Sequence, residues 1–101
     1  MGTRAELSQL LNGIPGVRKA YFQPPASVQM VYPCIVYHVD GIPANSADNS
    51  TYKTEKQYQI IVVDPDPDSQ IVEHVKWLPR TRFANFYTAD NLNHWAFTIT
   101  F

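Results

Sequence analysis

Three histidines, one cysteine and a run of alternating aspartates are the residues of this chain whose chemistry could amount to a site. A zinc centre needs imidazole and thiolate ligands at short, paired spacings. His38, His74 and His94 have no second ligand at such a spacing, and the lone Cys34 supplies none. His38 interrupts an otherwise apolar strand and reads as a structural imidazole, His74 falls on the outer side of a helix, and His94 borders a turn. Asp64, Asp66 and Asp68 have the alternation of a calcium loop. Such a loop needs a glycine at its sixth position and a glutamate at its twelfth, where this chain has Ser69 and Val75. Pro65 and Pro67 stiffen the run further, and helix capping accounts for the aspartates. No metal and no cofactor is expected.

Nucleophilic chemistry has as little support. Cys34 lies within the apolar run Cys34 to Val39, where a thiol behaves as a small hydrophobe. There is no nucleophile elbow, no Gly-rich phosphate loop and no paired carboxylate arrangement, and the chain holds 4 glycines in 101 residues. An enzyme is not expected. Aromatics make up 13% of the chain and could stack single-stranded bases, but that use requires a basic groove. Net charge is −1, and Arg80 with Arg82 is the densest cationic pair, so specific nucleic-acid binding is not expected either. Charged residues are only 17% against 45% hydrophobic. Such a thin coat of charge suits a chain that covers part of its surface by assembling with copies of itself, and equally an ordinary β-rich monomer.

The elements that must position these residues can be read from period and punctuation. Thr3-Arg4-Ala5-Glu6 is a capping box, and Leu7, Leu10, Leu11 and Ile14 follow at helical spacing. Gly13 offers a left-handed cap, and Pro15 forbids continuation. Val17 to Phe22, Cys34 to Val39 and Tyr58 to Val63 read as strands, the last two as central ones. Between the last two strands Gly41 to Lys53 carries no period, and a structureless connection of that length is usually functional or mobile. Asp66 as N-cap, Pro67 at the first turn and Asp68 behind it predict a second helix. Its buried face is Ile71, Val75 and Leu78, with Val72 and Trp77 at the edges, and Pro79 ends it. Arg82 to Tyr87 and Trp95 to Phe101 form a final antiparallel pair around an Ala89–Asn93 turn. The expectation is one domain, residues 1–101, of α+β class: a mostly antiparallel sheet of about five strands with two helices packed on it, in the order α-β-β-β-α-β-β. No apolar run approaches the ~20 residues that span a bilayer and no signal-peptide pattern is present. The lone cysteine excludes an internal disulfide, so a soluble protein of a reducing cytoplasm, or of a particle assembled in one, is expected.

Three segments together carry a family resemblance. Gly16-Val17, Tyr21 and Gln23-Pro24-Pro25 are followed by Tyr32-Pro33-Cys34-Ile35-Val36-Tyr37, and later by Tyr87-Thr88-Ala89-Asp90-Asn91-Leu92-Asn93-His94-Trp95. In this order and chain size they resemble the small tail-completion, or tail-terminator, proteins of long-tailed bacteriophages, whose element order is the same. The resemblance implies a structural virion protein assembled in the host bacterial cytoplasm. It would form a homo-oligomeric ring, most often hexameric, at the head-proximal end of the tail tube, with the tube protein and the head–tail connector or neck proteins as partners. There it would end tail polymerisation and offer the head a docking surface. The alternatives are a head-closure or connector-adaptor protein, and a monomeric binding module outside phages. Contact residues are expected in two segments: Met30 and Val31 in the Gln23–Tyr32 connection, and Asn45, Asp48, Asn49 and Tyr52 in the Gly41–Lys53 loop.

Overall fold

A computed structural model of the protein describes residues 3–41 and 56–101. Within them lie α1 (Arg4–Asn12), β1 (Lys19–Phe22), β2 (Cys34–Gly41), β3 (Gln57–Asp64), α2 (Gln70–Val75), β4 (Thr81–Ala89) and β5 (Leu92–Thr100). The strands form one sheet in the order β1-β2-β3-β5-β4. β1 runs parallel to β2, and the other three pairings are antiparallel. The fold is therefore α+β with a mixed five-stranded sheet and two helices, in the expected order.

α1 begins as its sequence dictates. The Thr3 hydroxyl accepts from the Glu6 amide at 3.2 Å, and the Glu6 carboxylate accepts from the Thr3 amide at 2.8 Å. Leu7 and Leu11 are fully buried and Ile14 nearly so, each worth roughly 1.5–3 kcal/mol of transfer free energy. Leu10, expected on the same stripe, is exposed: three leucines at i, i+3 and i+4 span more arc than the contact covers. Gly13 ends the helix in right-handed conformation, φ −83°, and the left-handed residue is Gly16, φ 94°. A Cβ on Gly16 would meet Ile71 Cγ1 at 3.4 Å, an ordinary contact, so it is the positive φ that makes the turn glycine's.

Both helices cover one face of the sheet. Leu7, Leu11, Ile71 and Val75 pack with Ala20, Ile35, Tyr37, Tyr58, Ile60, Val62, Phe97 and Ile99 in a single core. The alternation predicted for the last strand holds, with Phe97 and Ile99 on this face. The opposite face carries Cys34, Val36, Val63, Ala96 and Thr98; Cys34, Val63 and Ala96 are also buried.

Two boundaries differ from the sequence expectation for local reasons. The second helix starts at Gln70 with Ser69 as its cap, its hydroxyl accepting from the Ile71 amide at 3.2 Å. Asp66 does not cap it. The Asp64 carboxylate accepts from the Asp66 amide at 2.8 Å and that of Asp66 from the Asp68 amide at 2.9 Å, so the aspartates build consecutive side-chain turns instead. The helix ends by Val75, and Trp77, expected at its buried edge, is 79% exposed. At the last hairpin the turn is Asp90-Asn91 alone, φ 54° and 63°, a two-residue type I′ geometry that extends both strands toward it.

Candidate assembly surface

The two edges of the sheet are built differently. β1 is four residues long, and its outward Ala20 amide donates to Asn12 Oδ1 at 3.0 Å. Asn12 is itself anchored, its Nδ2 donating to the Ser8 carbonyl at 2.8 Å. The C-terminus of α1 thus closes that edge. β4 is nine residues long, and every residue after Thr81 is exposed. Among the described residues no other strand pairs with its outer side. An edge of this kind presents a row of unpaired N–H and C=O groups.

The side chains on β4 make the edge apolar. Phe83 is 57% exposed, Phe86 46% and Tyr87 39%. Each leans on a partner in β5: Phe83 meets Phe97 edge-on at 5.5 Å, Phe86 lies 5.3 Å from Trp95, and Tyr87 stacks on the His94 ring at 4.7 Å. A register shift at Ala84 decides their faces. Phe83 stands opposite Phe97 and Phe86 opposite Trp95, both on the helix side. Arg82, Asn85 and Tyr87 stand opposite Thr98, Ala96 and His94, on the other side. The hairpin tip is tied down by Asn93, whose Nδ2 donates to the carbonyls of Asp64 and Pro65.

A second apolar surface lies on the connection from β1 to β2. A parallel pair requires a crossover, and here it contains no helix. Gln23, φ 44°, turns the chain out of β1; its amide donates to the Tyr37 carbonyl at 2.9 Å and its Oε1 accepts from the Val39 amide at 3.2 Å. The Val31 amide donates to the Tyr21 hydroxyl at 3.1 Å. Tyr21 shares the side of Cys34 and Val36, so the crossover runs over the face away from the helices. The Tyr32–Pro33 peptide that leads into β2 is cis. Of the expected contact residues, Val31 is 51% exposed and Met30 half-buried in this crossover. Asn45, Asp48, Asn49 and Tyr52 lie outside the described residues.

The residues with chemical potential are dispersed. His38 is half-buried on β2, His74 exposed on α2, and His94 half-buried under Tyr87, its Nδ1 3.2 Å from the Leu92 carbonyl. Among the described residues no three of His, Cys, Asp and Glu gather where one metal ion could bind them. Burial pushes the Cys34 thiol from 9.0 up to about 11. No helix among the described residues is long and apolar enough to cross a membrane.

Charge is sorted along the β3–β5–β4 half of the sheet. Lys56, Arg80 and Arg82 stand where β3 and β4 begin, and Asp64, Asp66, Asp68 and Asp90 where they end. The exposed edge β4 therefore has cations at its entry and an aspartate at its exit. Sequence reasoning missed this edge, because Phe83, Phe86 and Tyr87 have the composition of a core strand. No periodic signal in the sequence marks it. Comparison with protein families, with curated proteins and with solved structures finds no match to this chain.

Proposed function

We propose that this chain is a structural assembly protein, a tail-completion subunit that forms a ring at the head-proximal end of a bacteriophage tail tube. The observation that carries the reading is the apolar surface left exposed at both sides of one small sheet: Val31 on the crossover and the aromatic edge of β4. On a chain with 17% charged residues, surface of this kind is covered by association. The Tyr21–Gln23-Pro24-Pro25 and Tyr32–Tyr37 segments that resemble the terminator family turn out to frame that crossover, which ties the resemblance to one of the two surfaces. The role is mechanical rather than catalytic. A heterologous ring offers one surface to the last tube ring and another to the neck, so polymerisation stops at it.

Electron microscopy of particles assembled with a gold-labelled copy tests the placement. Label at the head-proximal tip of tails supports the reading. Label on the head vertex before tails join points to the connector-adaptor alternative. Absence of label from heads, tails and particles overturns both.

A further inference from the structure

We propose that two copies of this chain pair through β4, antiparallel and related by a two-fold axis, with Phe83 of each opposite the partner's Phe86, Arg82 opposite the partner's Tyr87, and Arg80 beside the partner's Asp90. The inference concerns the free chain and does not rest on the tail reading; a heterologous ring that used the same edge would have to part this pair before closing.

A strand that pairs with a copy of itself about a two-fold perpendicular to the sheet runs antiparallel, so its entry meets the partner's exit. On β4 those ends carry opposite charge: Arg80 precedes the strand and Asp90 follows it. Self-pairing thus brings opposite charge together at each end, where a parallel approach would oppose like charges. The inner positions match as well. In an unbroken strand Phe83 and Phe86 would point to opposite faces, and facing pairs would mismatch. The register shift at Ala84 puts both on the helix side, and puts Arg82 and Tyr87 together on the other. One register then pairs aromatic with aromatic on one face and guanidinium with phenol ring on the other, both favourable cross-strand contacts. Ala84 and Asn85, the small residues, fall at the axis. Thr81 meets the partner's Thr88.

The competing way to cover the edge with a second copy is to add β4 to the partner's β1 and continue the sheet. Asn12 occupies the outward Ala20 amide of β1 at 3.0 Å, and β1 is only four residues long, so it offers a nine-residue strand little to pair with. The size of the contact sets its strength. At about 200 Å² for a whole aromatic side chain, the exposed fractions of Phe83, Phe86 and Tyr87 leave about 300 Å² of aromatic surface per protomer. With the flanking threonines and arginines, the total reaches about the 1,000 Å² lower bound of specific interfaces. A weak, reversible dimer is the class of association that such an area belongs to.

Register-specific cross-linking is the test. Thr81→Cys and Thr88→Cys are made as separate proteins; Thr88 is exposed and Thr81 half-buried on the edge strand, and native Cys34 is buried. Directly opposed antiparallel residues have Cα atoms about 4.5–5.5 Å apart, within disulfide range. The predicted outcome is an intermolecular disulfide on mild oxidation of the two variants mixed, and at least tenfold less of it in either variant alone. Sedimentation of the unmodified chain should show a monomer–dimer equilibrium. A strict monomer up to roughly 1 mM, the weak end of specific association, overturns the proposal. So does any larger or dimeric species in which the mixture cross-links no better than the single variants.

Discussion

Replacing Asn12 by alanine isolates the device that closes the β1 edge. The side chain accepts from the half-exposed edge through the Ala20 amide at 3.0 Å and donates to the Ser8 carbonyl at 2.8 Å. Ala20 is itself buried among core residues, so its amide regains little water when its acceptor is removed. An intramolecular hydrogen bond of this kind contributes about 0.5–1.5 kcal/mol, and leaving the donor unsatisfied costs about 1–3 kcal/mol. The contact to Ser8 is exposed and adds little. Asn12→Ala should therefore lower stability by about 1–2 kcal/mol, a fall in Tm of roughly 4–16 °C for a domain of this size. Asn12→Asp keeps an acceptor for the Ala20 amide but places a negative charge in the last turn of α1, which should cost about 0.3–1 kcal/mol. Urea denaturation gives the stabilities, and native-state hydrogen exchange shows where the loss occurs. Protection should fall first at the Ala20 amide and largely persist in the aspartate variant. The reasoning is refuted if Asn12→Ala costs less than about 0.3 kcal/mol, or if both variants lose protection at Ala20 equally.

Other outcomes follow from single contacts. Gly16→Ala forces an L side chain to φ 94° against Ile71 and should cost about 1–2 kcal/mol in chemical denaturation; a neutral result would show that the turn relaxes. The Cys34 thiol, raised from 9.0 to about 11 by burial, favours its neutral form in the folded chain. Its contribution is complete below pH 9 and is lost as pH rises toward 11, by up to ~1.4 kcal/mol per pH unit. Cys34→Ala should flatten that part of the stability–pH curve, and identical slopes in the two proteins would remove the thiol as its cause. Val31→Asp changes a surface position, so thermal stability should move by less than about 0.5 kcal/mol while rings seen by electron microscopy are lost. Intact rings would exclude the crossover as a ring contact.

What the sequence made legible was whatever local chemistry decides. The capping box at Thr3 and Glu6, the period-two alternation of the last strand and the apolar runs of β2 and β3 all appear where the residues put them. The second helix was displaced because aspartate serves equally as a helix cap and as a side-chain turn, and Asp64 and Asp66 take the second role. The parallel pairing of β1 with β2 left no mark in the chain, since its crossover lacks the helix that usually announces one. Of the expected contacts, Val31 is at the surface and Met30 partly so. The aromatic edge of β4 was hidden because exposure depends on what α2 fails to cover, and the bulge at Ala84 that aligns its faces leaves no periodic trace.

Tail length in particles assembled without this chain is the most direct measurement of the proposed role. A terminator predicts tubes that overrun, with a broad length distribution and no joined heads, restored to one length when the protein is supplied. Free tails of normal length beside finished heads, or normal particles, would contradict it.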